Sequence, residues 1–193
     1  MATITTAAGA RLTETGAIRG FLQPYGIWHE NWDVADRIGP NATDEEILEE
    51  YSPEIERLKE LGGFVTADII NVTADTPGLD AMLAKFDKEH THDEDEVRFT
   101  VAGRGVFWVN PGDDGEVFAI EVTAGDLINV PAGVRHWFHL CDDRTIRCIR
   151  LFEDPGGWTP HYVEAGAHEH NAPLCWGPNY LPPAGAVKPA VEL

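Results

Sequence analysis

From Phe64 onward the sequence alternates short apolar segments with turn formers, and this alternation constrains the fold more than any other feature. The segments are rich in Val, Ile, Phe and Trp, and stretches such as 111–115 and 131–133 contain Pro and Gly. Many short strands at near-regular spacing are typical of an antiparallel sandwich or barrel. The predicted strands are 64–70, 82–90, 96–102, 105–109, 116–122, 127–130, 134–140 and 145–152. We therefore expect an all-β main body.

A short helical region precedes this body. Residues 41–63 contain two helix starts, the first a capping box formed by Thr43 and Glu46. Ser52-Pro53 is the second start, because proline suits the first helical position. Gly62-Gly63 ends the segment.

The length of 193 residues predicts a single domain. Within it we expect helices at about 41–63, a barrel at about 64–152 and an irregular tail at about 165–193.

The charge of the chain argues against some partners. With 33 acidic and 14 basic residues the formal net charge is −19, which repels nucleic acid and anionic membrane surfaces. No apolar run approaches the roughly 20 residues that span a bilayer, and the N-terminus lacks the pattern of a signal peptide. Three cysteines without a C-x-x-C spacing argue against a disulfide framework and fit a reducing cytoplasm.

Four side chains have the spacing of a metal site. His90 and His92 are alternate residues, so both imidazoles lie on one face of a strand. A turn at 93–95 followed by a paired strand would bring Glu96 beside them, and His136 follows a tight turn about forty residues later. Three imidazoles and a carboxylate without a thiolate suit Fe, Ni, Mn, Co or Zn better than Ca or Mg. Such a site leaves open positions where a substrate can bind.

The other histidines are not expected to bind this ion. His168 and His170 form a second His-x-His pair, but in an irregular segment that we predict to be at the surface. His29 and His161 are isolated and are more typical of packed or solvated histidines. His139 lies an odd number of residues from the nearest predicted ligand, so it should face away from the metal.

Residues 90–103 and 125–136 resemble the two sequence motifs of the cupin superfamily. The first reads H-x-H-x3-E-x6-G and ends at Gly103, and the second reads G-x5-P-x-G-x2-H. Leu140 stands where the second motif normally ends in Asn. The resemblance implies a cupin double-stranded β-helix, so the predicted fold class is an all-β jelly-roll barrel with short N-terminal helices.

Three longer segments resemble the acireductone dioxygenase family: Lys85–Phe99, Val130–Phe138 and Ile149–Phe152. The similarity extends over roughly residues 20–165. It implies an oxidoreductase of methionine salvage, a route of methionine biosynthesis, that cleaves the acireductone 1,2-dihydroxy-3-keto-5-methylthiopentene with O2. An Fe(II) form would yield formate and 2-keto-4-methylthiobutyrate, and a Ni(II) form CO, formate and methylthiopropionate. We expect one Fe(II) or Ni(II) ion in each chain, and a cytoplasmic monomer.

The resemblance also implies roles for residues near the metal. Glu89 corresponds to a residue linked to metal incorporation, and Asp95 to one associated with forming the substrate dianion. Arg98 corresponds to a residue linked to substrate binding or to transmitting local changes. Arg150 is a second cation for the anionic substrate.

Strand parity bears on the two arginines and on two aromatic residues. Arg98 shares the parity of Glu96, so its guanidinium should point into the barrel, where it can stabilise an enediolate. An ion pair with a nearby carboxylate is the alternative for Arg98 and for Arg150. Phe86 and Phe138 should also point inward, either as an apolar wall for the methylthio group or as ordinary core residues.

Two other functions fit the same residues. One is a different metal-dependent cupin enzyme, such as an isomerase or another oxygenase. The other is a non-catalytic cupin that binds a small molecule, although the presence of all four ligands favours an enzyme. Reaction with a synthetic acireductone separates the first alternative, and metal uptake separates the second.

Overall fold

The structure is a computed structural model that describes residues 1–154, 156–164 and 166–171. Within these ranges eleven strands and four α-helices are present. The helices are α1 (Thr15–Leu22), α2 (Asp44–Glu50), α3 (Ser52–Gly62) and α4 (Leu79–Leu83). The strands are β1 (Thr3–Thr5), β2 (Arg11–Leu12), β3 (Trp28–Asn31), β4 (Thr66–Val72), β5 (His90–Thr91), β6 (Glu96–Asn110), β7 (Phe118–Thr123), β8 (Asp126–Val130), β9 (Arg135–Leu140), β10 (Ile146–Phe152) and β11 (His161–Tyr162).

Two antiparallel sheets share strand β6. The first sheet has the order β11-β5-β9-β6-β7-β1-β2. In the second, β6 pairs with β8 and β10, and these pair in turn with β3 and β4. The first half of β6 belongs to one sheet and the second half to the other, so this strand closes the barrel.

Gly103 lies where β6 passes from one sheet to the other. Its φ is +76°, a conformation that favours glycine, and a Cβ atom there would collide with the Thr145 carbonyl oxygen. The final glycine of the first motif is therefore required by the bend of β6.

The two predicted helices cover the outer face of the second sheet. Thr43 and Glu46 form the expected capping box, and α3 begins with Ser52-Pro53. Gly63 follows α3 in a left-handed conformation. Odd-numbered residues of β6 face these helices, and the resulting buried cluster includes Ile47, Tyr51, Leu58, Val97, Phe99 and Leu151. Even-numbered residues of the same half-strand are left to face the barrel interior.

Two expectations about strands are wrong. The predicted strand 82–90 is mostly replaced by α4 and an irregular stretch, and only His90–Thr91 is a strand. Alanine and leucine near Gly78 favour a helical turn there. The segments 96–102 and 105–109 form one bent strand. The elements β1, β2, β3, α1 and β11 were not predicted from the sequence.

No described helix is long and apolar enough to cross a membrane. Cys148 is a buried free thiol, whereas Cys141 is disulfide-bonded, which the argument against a disulfide framework did not anticipate. Of the predicted tail, the described part contains a short 3-10 turn at Ala167–Glu169. Residues 172–193 lie outside the described residues.

Candidate metal centre

Four buried side chains from three strands and one turn converge inside the barrel. Nitrogen atoms of His90, His92 and His136 and an oxygen of Glu96 all lie within 4.8 Å of one another, and each residue is at most 3% exposed. The structure therefore brings together all four residues that the spacing singled out.

The route by which Glu96 reaches this cluster differs from the expected hairpin. Strand β5 pairs with β9 and β11, and the register places His90 directly opposite His136. Glu96 begins β6, whose first half pairs with β8 in the other sheet. The turn at 93–95 thus crosses between the sheets, and the cluster forms where they meet.

Hydrogen bonds fix the orientation of all three imidazoles. The Nδ1 atoms lie 2.6 Å from the Lys88 carbonyl oxygen in His90, 2.9 Å from that of Val134 in His136 and 2.9 Å from that of Thr159 in His92. Because a carbonyl can only accept, each Nδ1 donates its proton, and in a neutral ring Nε2 then presents its lone pair.

The inward atoms lack the partners that buried polar groups need. Nε2 of His90 has no hydrogen-bond partner among the described residues, and Nε2 of His92 and of His136 each lie 3.1 Å from the same oxygen of Glu96. Converging lone pairs of this kind are costly unless a cation lies between them. The donor set therefore fits one divalent ion of the transition series.

The electrostatics keep the carboxylate ionised. Burial alone would raise the pKa of Glu96, but the Arg98 charge and the nearby His136 lower it well below its ordinary value. Burial lowers the pKa of His90 to about 3, with a further contribution from His136. For His92 the effect of burial is outweighed by the Glu96 carboxylate, which raises the pKa.

Arg98 points into the barrel beside the cluster. It is 6% exposed, and its Nε lies 2.6 Å from the Glu96 carboxylate. Its guanidinium carbon lies 4.9 Å from the ring centre of Phe138, 5.5 Å from that of Phe107 and 5.2 Å from that of Trp158. The expected inward direction and the alternative ion pair are thus both present in the structure.

The second cation, Arg150, is held by a different carboxylate. Its Nε and Nη2 atoms donate to the two oxygens of Asp68 at 2.8 and 2.6 Å. The guanidinium carbon lies 5.0 Å from the ring centre of Phe152 and 5.7 Å from that of Trp158.

Aromatic rings surround the cluster. The Phe86 ring centre lies 5.8 Å from that of His90, and Trp158 lies 6.1 Å from His92. Phe138 is 5% exposed and packs 4.9 Å from Phe107. Phe107 and Trp158 were not predicted from the sequence, although the turn formers at 156–157 indicated a change of chain direction just before Trp158.

The carboxylates of Glu89 and Asp95 are taken up by hydrogen bonds and lie outside the group of four candidate ligands. Glu89 is fully buried and accepts hydrogen bonds from Asn110 Nδ2 at 2.7 Å and from the Ala167 amide at 3.0 Å. Asp95 accepts from Asn129 Nδ2 and from the Ala132 amide, both at 2.9 Å. Each carboxylate therefore fixes a segment next to a candidate ligand.

The remaining described histidines stand outside the cluster. His29 is buried against Asp126, and His161 pairs with Asp93 at the surface. The ring of His168 packs against Trp137, and His170 is exposed. His139 is not among the candidate ligands, and its charged neighbours are Asp87 and His168. Burial lowers the pKa of His139.

Comparisons with known proteins agree with this geometry. The chain matches the ARD/ARD' family over residues 22–160. The acireductone dioxygenase of Marinobacter nauticus is 45% identical over 152 residues, which are 79% of this chain and 80% of that protein. The acireductone dioxygenase of a Sulfurihydrogenibium species is 45% identical over 156 residues, 76% of this chain and 86% of that protein.

A solved structure extends the likeness to three dimensions. The acireductone dioxygenase from Bacillus anthracis with a cadmium ion in its active centre matches with a TM-score of 0.78 and 38% identity. The match covers 84% of this chain and 98% of that chain. The predicted fold class, a cupin barrel with short N-terminal helices, is confirmed.

Proposed function

The chain belongs to the ARD/ARD' family, and from this premise we propose that it cleaves an acireductone with O2 at one metal ion held by His90, His92, Glu96 and His136. The family makes it a dioxygenase with a metal cofactor. The observation that carries the proposal is the convergence of three imidazoles, each fixed through Nδ1, on one ionised carboxylate. All four side chains are buried, and their candidate donor atoms lie close enough together to share one ion.

A bound Fe(II) or Ni(II) ion, one per chain, would supply a Lewis acid and a template that holds an enediolate for reaction with O2. The protein's part is to fix the donor atoms before the ion arrives. Preformed donors reduce the reorganisation that binding requires, because the imidazoles need not change tautomer or rotamer.

Arg98 and Arg150 are the substrate-binding cations in this proposal. A doubly deprotonated enediolate needs positive charge beyond that of the ion, and a guanidinium offers it in a form that cannot be deprotonated. Arg98 pairs with Glu96, a member of the cluster, so its positive charge lies close to the position where the substrate anion would bind. In a water-poor site such an interaction is stronger than in bulk solvent.

Phe86 and Phe138 form the apolar side of the same space. Both rings border the cluster or the Arg98 guanidinium, so a methylthio group bound there would be removed from water.

The family resemblance associates Asp95 with formation of the substrate dianion, and in this proposal Asp95 acts through the segment that it fixes next to Glu96. Glu89 supports metal incorporation by fixing the chain next to His90.

For the products of each metal form, the proposal follows the family resemblance. The Fe(II) form would give formate and 2-keto-4-methylthiobutyrate, and the Ni(II) form CO, formate and methylthiopropionate. The proposal places the chain in methionine salvage, in the cytoplasm, as a monomer of one cupin domain.

The test is turnover of a synthetic acireductone by protein loaded with Fe(II) or Ni(II). We expect the enediolate absorbance to fall together with O2, and metal-free protein to show no enzymatic loss. If loaded protein binds its ion but leaves the acireductone intact, the chain is another metal-dependent cupin enzyme. Failure to take up Fe, Ni or Co would instead favour a non-catalytic binding protein.

A further inference from the structure

A row of charged residues crosses three neighbouring strands beside the metal cluster. The register places Asp68 of β4 directly opposite Arg150 of β10, and Arg150 directly opposite Arg98 of β6. Directly opposed residues point to the same face of a sheet. Because Arg98 points into the barrel, Asp68 and Arg150 belong to the same inner face.

Opposed like charges in such a row repel each other, so each guanidinium needs its own counter-charge. Arg98 has Glu96 at 2.6 Å. Arg150 has Asp68, which takes up its Nε and Nη2 together in a bidentate pair. The fork geometry fixes the plane of the guanidinium as well as its distance.

The pair with Asp68 holds Arg150 next to the Trp158 ring, which Arg98 also contacts. The guanidinium carbons of Arg150 and Arg98 lie 5.7 and 5.2 Å from the same ring, that of Trp158. Trp158 in turn packs 6.1 Å from the His92 ring. The two cations are therefore fixed side by side at the edge of the metal cluster.

Asp68 is not a candidate ligand. It lies outside the group of four residues that could hold an ion, and its side chain is 49% exposed where that of Arg150 is 22% exposed. Both of its carboxylate oxygens accept from Arg150, so Arg150 is the group through which Asp68 would act on the reaction.

We propose that Asp68 is a positioning residue: its carboxylate orients Arg150 beside Arg98, so that both guanidiniums meet the anionic substrate. The inference rests on the proposed function, because it assumes an enediolate as the ligand. Asp68 thereby sets the affinity for a doubly charged substrate without contacting it.

Asp68→Asn tests this role through the direction of the effect on KM. A purely electrostatic role predicts a lower KM, since removal of a negative charge makes the site more attractive to an anion. Positioning predicts the opposite, because the amide loses one of the two acceptor oxygens and the charge that hold the fork. Loss of one charge-assisted contact to the substrate raises KM roughly tenfold, with kcat changed by less than about threefold.

A double-mutant cycle with Arg150→Lys separates positioning from a structural role. Lysine keeps the charge but cannot form the bidentate pair, so Arg150→Lys alone should raise KM to a similar extent. If Asp68 acts through Arg150, adding Asp68→Asn to the Arg150→Lys variant should change KM by less than about twofold. Arg150→Lys also tests the proposal if Asp68→Asn does not fold.

The matched control is Asp44→Asn. Asp44 pairs with Arg147 on the same strand β10, and its side chain is 47% exposed, but the pair lies at α2 on the outer face. This variant should keep the KM of the parent protein.

The outcomes distinguish this inference from the proposed function. If the loaded parent protein does not turn over an acireductone, the proposed function fails. If the parent protein turns it over but Asp68→Asn leaves KM unchanged or lower, or if the two substitutions are additive, the positioning role is overturned. Metal content measured in every variant shows whether the ion site is intact.

Discussion

The three imidazoles of the cluster share one orientation but depend on different parts of the chain. His90 and His136 each donate to a carbonyl two residues earlier, so their support is local. His92 donates to Thr159, 67 residues away. Two of the imidazoles are therefore oriented by the residues just before their own strands, and the third depends on the chain that follows β10.

This difference explains which residues the sequence could predict. Strand parity and motif spacing, which are local signals, predicted that His90, His92, Glu96 and His136 meet, but the hairpin expected to bring Glu96 there is not formed. The pairing of Arg150 with Asp68 depends on the register of distant strands, which no local pattern reports. The same holds for Trp158, which reaches the cluster only through the path of the chain after β10.

At the residue scale we make a prediction about Asp126, a fully buried carboxylate. It contacts His29 Nε2 at 3.0 Å and accepts hydrogen bonds from Asn31 Nδ2 and from the Thr123 amide and hydroxyl. Asp126→Asn should lower the free energy of unfolding by roughly 3 kcal/mol, because it removes one partner of a buried pair. Urea unfolding at pH 7 measures this.

The pH dependence of this contribution follows from the pKa of Asp126. Burial alone would raise this pKa, but His29 and the Thr123 amide lower it below its ordinary value of 3.8. A carboxylate whose pKa is lower in the folded state stabilises the fold at any pH above its pKa in the unfolded state. This stabilisation is lost as the pH falls through the pKa of the folded state. The difference between the parent protein and Asp126→Asn should thus shrink below about pH 4. The exposed Asp93–His161 pair is the control, since Asp93→Asn should cost less than about 1 kcal/mol.

At the scale of elements, the barrel depends on one strand that belongs to both sheets. The sequence predicted two strands, 96–102 and 105–109, separated at Gly103, because glycine weakens the interior of a strand. In the structure this glycine bends the strand and does not end it. The turn formers therefore located most strands of the barrel but could not show which neighbouring strands are continuous.

Gly103→Ala should be strongly destabilising. Alanine would meet both an unfavourable φ of +76° and the Thr145 carbonyl oxygen, so we expect a loss of at least roughly 3 kcal/mol in the free energy of unfolding. Gly9 has a φ of +79° but open space around it, so Gly9→Ala should cost about 1 kcal/mol. Equal losses in the two variants would show that the collision at the bend is unimportant.

Hydrogen bonds connect the chain after β10 to the elements that carry the candidate ligands, and Glu89 accepts two of them. Its backbone carbonyl accepts from the Val163 amide, and its carboxylate accepts from the Ala167 amide and Asn110. Glu89→Ala should speed amide exchange at Ala167 by roughly tenfold to a hundredfold, since one buried hydrogen bond is lost.

The control for this exchange measurement is Glu94→Ala. The Glu94 carboxylate accepts from the amides of Glu153 and Asp154, near the start of the same stretch. This variant should speed exchange at 153–154 and leave Ala167 unchanged. Equal effects of both variants on exchange at Ala167 would mean that the hydrogen bond to Glu89 does not hold the chain around Ala167 in place.

At the scale of the whole molecule, an ion at the proposed site would join the two sheets. Its candidate ligands come from β5 and β9 in one sheet, from β6 where it lies in the other, and from the chain that enters the turn between them. The sequence predicted the barrel and its N-terminal helices, but not that the site lies at the junction of the sheets. That position follows from the pairing of β6, which depends on long-range register.

Metal should therefore stabilise the entire fold. A ligand that binds only the folded state at a free concentration 100 times its Kd adds about 2.7 kcal/mol to the free energy of unfolding. We expect Ni(II) to raise the Tm of metal-free protein, and Mg(II) to have no such effect, because imidazole nitrogen is a poor ligand for Mg(II). An equal rise with both ions would contradict a site built on three histidines.

The most direct test of the metal site and its chemistry is metal content and acireductone turnover measured on the same samples of parent protein and His92→Ala. We predict one Fe or Ni ion per chain and turnover in the parent protein, and loss of both in His92→Ala. His168→Ala, which changes a histidine outside the cluster, should keep both. A His92→Ala protein that retains a full ion and normal turnover would show that the four residues are not the metal site.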